Sequence, residues 1–361
     1  MPISRRDLLL ASGAVLLAGT RAIGQDAVRP RAQTQTRGPE EALLEALRKN
    51  RLSLTMGDGP AGQGWEWLVK EARDARFTLI GEEHGVAETA RLSAALFESL
   101  RGSGYSRMAI ELSPIIAQDI ESAARRNGLQ GILDLFATPG TWSPMYLREE
   151  ARFLADVVAA APRGERVLWG FDRELFSDRY LIARLEAKVP RRAREPFTRL
   201  KEASTGSWAR REKGADEPPF LFAQEPAVVS AVRAAWPNPD RESDAILRTL
   251  EESLAINAVA RTGTAWASAE RRAQWKRTNF AARLRDERAR GSTPKVMLKA
   301  GYNHMIRGAN YVNIFDLGAM TDEIAALDGK RVFHILVLPG PGSRQAVLGP
   351  GRSFASVSSD E

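Results

Sequence analysis

Phe77-Thr78-Leu79-Ile80-Gly81-Glu82-Glu83-His84 decides the reading of this chain, because an apolar run of strand formers passes straight into a glycine, two carboxylates and an imidazole. Far downstream, Val296-Met297-Leu298-Lys299-Ala300-Gly301-Tyr302-Asn303-His304 repeats the design. Short apolar runs bounded by glycine predict strands buried on both faces, as in a parallel sheet. The carboxyl ends of such strands are where α/β proteins gather reactive groups. The chain holds 3 histidines, and two of them close a Gly-x-x-His pattern after such a run. A separation this long brings two similar loops together only through the fold.

Three further runs read as buried strands: Met108-Ala109-Ile110, Val167-Leu168-Trp169 and Phe333 to Leu338. Amphipathic stretches alternate with them, among them Glu88 to Leu100 and Ser143 to Ala160, the second with Ser143 as cap and Pro144 at the first helical position. The expected fold is therefore α/β, a mostly parallel central sheet flanked by helices. From about Leu175 to Arg290 no convincing strand occurs. The segment is charged and helical in period, with breaks at Pro218-Pro219 and Pro237-Asn238-Pro239. It reads as a long helical insertion (about 175–290) covering the sheet edge and the site.

The N-terminus reads differently. Ser4-Arg5-Arg6-Asp7 precedes an apolar stretch from Leu8 to Gly19 and the small-residue site Ala22-Ile23-Gly24. Residues 1–24 are thus expected to be a twin-arginine signal peptide, which implies a periplasmic or secreted protein. Residues 25–38 read as a polar, flexible leader, 39–349 as a single α/β domain and 350–361 as a loose tail. With no cysteine the chain forms no disulfide and carries no lipid-attachment site. The formal charge of +7 is spread among acidic residues, and the densest basic cluster, Lys188 to Lys201, lacks interleaved aromatics. That cluster reads as a solvated helix face, so neither a nucleic-acid partner nor stable membrane insertion is expected. Gly57, Gly59 and Gly62 match a dinucleotide fingerprint by spacing, but no confident strand precedes them and no acidic residue is placed for a ribose.

Four runs end in chemistry. They deliver Glu82, Glu83 and His84; Glu111; Gly170-Phe171-Asp172-Arg173; and Lys299, Asn303 and His304. Glu111 directly follows Met108-Ala109-Ile110, where a buried carboxylate needs a partner. The chain has no Gly-x-Ser-x-Gly elbow, no cysteine, no phosphate loop and no His-Glu-x-x-His helix, so the common nucleophile and zincin schemes lack their parts. Water chemistry remains in two forms. A histidine near its ordinary pKa takes a proton from water while a carboxylate steadies the ring. Alternatively His84, His304, Glu82 and Glu111 ligate one divalent ion that acidifies a bound water. Strand register decides whether Glu82 or Glu83 faces the site. His334 reads as a core or strand-edge residue.

The run Leu79 to Gly85 with Glu88, then Ala109-Ile110-Glu111, Trp142 with Glu149 or Glu150, Gly170-Phe171-Asp172 and Ala300-Gly301-Tyr302-Asn303-His304 resembles, in order, the motifs of the erythromycin esterase-like proteins. The chain also looks like the wider group containing the Tiki, TraB and haem-binding ChaN proteins. The resemblance spans about residues 76 to 310. It implies an α/β core with helical insertions and a hydrolytic reaction, with His84 as general base and Glu82, Glu111 and His304 at the other site positions. The first motif is one residue shorter than the esterases usually carry, and Gly-Tyr-Asn-His replaces their His-Asn-x-His, so macrolide opening in particular is not implied. The expectation is an exported hydrolase acting on an ester, lactone or amide in a small-molecule or peptide substrate. Arg173 would hold an oxyanion or an acidic substrate group. The alternatives are a ChaN-like haem or metal-binding protein and a Tiki-like metal-dependent protease.

Overall fold

All five apolar runs are strands of one parallel sheet, in the order Leu168–Gly170, Tyr105–Ile110, Lys295–Gly301, Phe77–Glu82, Val332–Val337. The structure, a computed structural model, describes residues 38–141, 145–162, 164–340, 343–347 and 355–358. The expected signal peptide and nearly all of the leader lie outside them, as do Trp142, Ser143 and Pro144. Two compact units are distinguished, Met1–Lys70 and Glu71–Glu361.

In the first, helix α1 (Pro39–Lys49) precedes a short antiparallel hairpin of β1 (Thr55–Met56) and β2 (Pro60–Ala61), and helix α2 (Gln63–Asp74) begins. The Gly57–Gly62 bend is the turn of that hairpin, with Gly64 N donating to Ser53 O at 2.7 Å. This is the local geometry behind the spurious fingerprint spacing.

The second unit runs β3 (Phe77–Glu82), α3 (Ala87–Leu100), β4 (Tyr105–Ile110), α4 (Pro114–Ala137), α5 (Arg148–Ala160) and β5 (Leu168–Gly170). Helices α6 (Asp178–Glu186), α7 (Arg194–Glu212), α8 (Phe220–Ala223), α9 (Ala227–Ala235), α10 (Arg241–Thr262) and α11 (Ala265–Ala289) follow, then β6 (Lys295–Gly301), α12 (Leu317–Leu327) and β7 (Val332–Val337). The strandless segment is thus six helices; the breaks before α8 and α10 fall where prolines remove backbone donors, whereas α10 ends at Gly263. Helix α5 begins at Arg148, later than expected from Ser143-Pro144. Beyond β7, β8 (Arg344–Val347) pairs with β9 (Ala355–Ser358), so part of the expected loose tail forms backbone ladder bonds. Its Gly, Ser and Pro content hid that pairing, which the partner strand decides rather than local propensity.

Side chains alternate across the sheet. Phe77 and Leu79 of β3 and Val296, Leu298 and Ala300 of β6 face one layer, packed with Trp169, Phe280 and Leu284. Phe280 meets the rings of Phe77 and Trp169 edge-on at 6.0 Å, which seats α11 on this face. Parity sends Glu82 and Lys299 to the opposite layer, where Glu150 of α5 meets Lys299. Register pairs Ile80 with Lys299 and Glu82 with Gly301, so the charged ends of β3 and β6 lie side by side.

Candidate active site

Because all five strands are parallel, their carboxyl ends share one edge. Glu82, Glu111, His84 and His304 come together there. His84 stands just past β3 on a turn that Gly85 completes at φ 92. A Cβ on Gly85 would lie 2.4 Å from Ala346 O, so the position needs glycine on two counts. His84 Nδ1 meets Glu82 Oε1 at 3.0 Å and Nε2 lies 3.3 Å from Glu111 Oε2. On the other side, His304 Nε2 lies 3.4 Å from Glu111 Oε1. One carboxylate therefore bridges two imidazoles. Gly301 presents its backbone N–H to Glu111 Oε2 at 2.7 Å, and a Cβ there would stand 3.2 Å from His84 Nε2, so glycine keeps this face open.

Each end of the chain of groups is closed by a buried lysine. Lys299 Nζ donates to Glu82 Oε1 at 2.6 Å and to Glu150 at 2.9 Å. His304 Nδ1 meets Asp316 Oδ2 at 2.7 Å, and Lys276 Nζ donates to the same oxygen at 2.7 Å. Asp316 also caps α12, accepting from Leu317 N. In the middle, Arg272 donates to Glu111 Oε1 at 2.7 Å and clamps Asp172 through Nε at 3.1 Å. The order is Lys299, Glu82, His84, Glu111, His304, Asp316, Lys276, with acid and base alternating throughout.

The electrostatics follow from that alternation. Burial alone would lower the His84 imidazolium, but bonds to Glu111 and Glu82 outweigh it and lift its pKa to about 10. Burial would raise Glu111, yet His304 and His84 beside it hold the carboxyl well below its usual range. Glu82 is likewise lowered, against burial, by Lys299 and His84. Lys276 moves down, because burial exceeds the pull of Asp316. His84 is thus an imidazolium at neutral pH in this arrangement, rather than the ordinary histidine its sequence context suggested. Its side chain is 35 % exposed, whereas that of Glu82 is 1 % exposed. Solvent therefore reaches the imidazole and not its carboxylate partner.

Glu83 is not part of the chain: among the described residues its Oε2 accepts a long 3.4 Å bond from Gln345 Nε2. His334 lies on β7, its Nδ1–H donating to Met305 O at 2.8 Å and its Nε2 3.1 Å from Asp322 Oδ2, away from the two site imidazoles. Asn303 Oδ1 is buried and, among the described residues, without a hydrogen-bond partner. Arg173 does not join the chain either; its Nη1 donates to Asn257 Oδ1 at 2.6 Å. The arginine at Glu111 is Arg272, which sequence reasoning missed together with Lys276 and Asp316. Arg272 and Lys276 stand one turn apart on a polar helix, where nothing distinguishes them from solvated neighbours. Asp316 did carry a signal, an N-cap acid before an apolar helical run.

A divalent ion does not fit the four residues that sequence offered as ligands. Glu82 is already neutralised by Lys299 and Glu111 by Arg272, and these buried cations would repel a metal at the same oxygens. Among the described residues no group of three or more His, Cys, Asp or Glu side chains is arranged to hold one. No helix among them is long and apolar enough to cross a membrane.

The fold is shared with solved structures of low sequence identity. A point mutant of the erythromycin esterase EreC in its open conformation matches with a TM-score of 0.53 and 14 % identity, over 81 % of this chain and 78 % of that one. A succinoglycan biosynthesis protein matches with a TM-score of 0.53 and 12 % identity, over 90 % of this chain and 81 % of that one. A haem-binding ChaN of Campylobacter jejuni has 12 % identity over 81 % of this chain and 92 % of that one, but its TM-score of 0.37 is too low to inform this chain. No protein-family model and no curated protein sequence matches the chain. The class so defined is an α/β protein with the esterase-like fold, and at such identities the likeness extends to the fold alone.

Proposed function

We propose that the protein is an exported hydrolase that opens an ester, lactone or amide with water activated at His84. The observation that carries this reading is an imidazole reachable from solvent and held between two buried carboxylates. In the reactive form His84 is neutral, with Nδ1–H donating to Glu82 and the Nε2 lone pair facing the 3.3 Å gap to Glu111. A water that reaches the exposed edge of the ring in place of the Glu111 contact gives its proton to Nε2 as its oxygen attacks the carbonyl carbon. The imidazolium that forms is the species Glu82 and Glu111 stabilise, and it returns the proton to the departing alkoxide or amine. His304, fixed by Asp316, holds the far oxygen of Glu111 in place. Small-molecule esters and lactones are the substrates this arrangement suits best.

The lifted His84 pKa gives a test. Because the base form appears only as His84 loses its proton, kcat/KM on a panel of neutral aryl esters and lactones should rise through neutrality toward about pH 10. A profile that is flat or falls above neutral pH would show that His84 is not the base. The export part of the proposal rests on Arg5-Arg6 and the apolar stretch behind them. Cell fractionation should find the protein outside the cytoplasm, and a variant with both arginines changed to lysine should stay inside. Equal export of the two would remove the twin-arginine assignment.

A further inference from the structure

We infer that Arg173 is an anion-recognition group that selects substrates carrying a carboxylate, an inference that rests on the hydrolase reading and names its substrate class. Arg173 follows β5 at the same sheet edge as the histidines, in the loop that also supplies Asp172. Its residue is 9 % exposed, yet among the described residues no carboxylate lies within ion-pair distance of its guanidinium. The other buried cations near the site each have one. Lys276 has Asp316 at 2.7 Å, Lys299 has Glu82 at 2.6 Å and Arg272 has Glu111 at 2.7 Å.

Arg173 instead has two neutral neighbours. Nη1 donates to Asn257 Oδ1, and the guanidinium carbon lies 5.5 Å from the Phe222 ring centroid. Nε is buried and, among the described residues, has no partner. An unpaired buried charge is costly, and folds retain one where it serves a ligand more often than for stability. Burial and the charge of Arg272 bring its pKa down to about 9, so nothing in the fold fully compensates the cation. With Nη1 occupied by Asn257, the edge carrying Nε–H remains, and this side of a guanidinium presents a planar fork that fits a carboxylate bidentately. Asp172 next door is clamped by Arg272, which in turn holds Glu111, so the anion would dock beside the groups that set His84. Its position under α8 and α10, through Phe222 and Asn257, assigns the helical insertion a share in substrate choice.

The test uses succinate as probe, titrated calorimetrically into wild type, Arg173→Gln and Asn257→Asp. The second variant leaves the guanidinium in place but supplies it with a carboxylate, so it reports even if the first fails to fold. Succinate should bind wild type, and its affinity should fall on the order of thirtyfold or more in both variants. In parallel, kcat/KM is compared for an aryl acetate and the matching aryl hemisuccinate. Wild type should favour the hemisuccinate, and the ratio should fall toward one in each variant. No succinate binding by wild type, or equal binding in all three proteins, would overturn the inference. If neither ester is hydrolysed but succinate binding is lost in the variants, the anion site stands and the hydrolase reading falls.

Discussion

Replacing His84 by glutamine is expected to reduce turnover of a hydrolysed ester by on the order of 10²–10⁴-fold while the folded structure survives. Glutamine keeps a donor for Glu82 but has no lone pair basic enough to take a proton from water. The fold should tolerate it because the imidazole lies at the rim of the site, outside the apolar core. The same variant reports the charge of His84 independently of activity. An imidazolium held by Glu82 and Glu111 has a folded pKa of about 10 against an ordinary value of 6.5. Its stabilisation is therefore complete below about pH 6.5 and is lost as pH rises through about 10. The difference in stability between wild type and variant, measured by denaturant unfolding at a series of pH values, should shrink across that window. A constant difference would mean that the pairing with Glu111 is not populated in solution. Full activity in the variant would end the proposed role of His84 altogether.

The parts of this fold that sequence disclosed are those where one physical constraint acts alone. Strands covered on both faces must be continuously apolar, so Phe77-Thr78-Leu79-Ile80 and Val296-Met297-Leu298 stand out, and the polar residues ending them mark the reactive edge. His84, Glu111 and His304 were found for that reason. Glu82 and Glu83 could not be told apart because the choice lies in pairing parity: only the register of Glu82 against Gly301 sends that carboxylate to the layer of Lys299. Arg272 and Lys276 were hidden because a helix that reaches a buried site with two cations has the same composition as one facing water. Of the two cations set against a metal ion, Arg272 comes from a segment read as surface, whereas Lys299 stands in view at the end of a strand run. Helix α11 is thus more than a cover for the sheet. It supplies two of the charges that hold the site together.

Lys299→Met should be the most damaging single change to stability, costing about 3–5 kcal/mol at neutral pH. Lys299 is fully buried, with Glu82 at 2.6 Å and Glu150 at 2.9 Å, and its removal leaves Glu150 without a cation and Glu82 with the His84 imidazolium alone. Methionine fills the volume, so a cavity contributes little and the loss measures charge. The pH dependence separates this from packing. In the wild type, Glu82 titrates below its ordinary 4.5, so its stabilisation is present above that value and is lost on acidification. Glu150 already titrates above its ordinary 4.5 in the wild type, because burial exceeds the pull of Lys299, and in the variant it should move further up while Glu82 loses its strongest cation, which makes both costlier at neutral pH and harmless once protonated. The stability gap between the two proteins should therefore close as pH falls toward about 4, where cavity damage would persist. Adding Glu150→Gln to Lys299→Met should recover part of the loss, because it removes the charge left without a cation. If the gap is the same at acid and neutral pH, or if the second substitution deepens it, then Lys299 is held by packing and Glu82 does not depend on it for its charge. The imidazole of His84 would then lack the fixed negative partner on which its basicity depends.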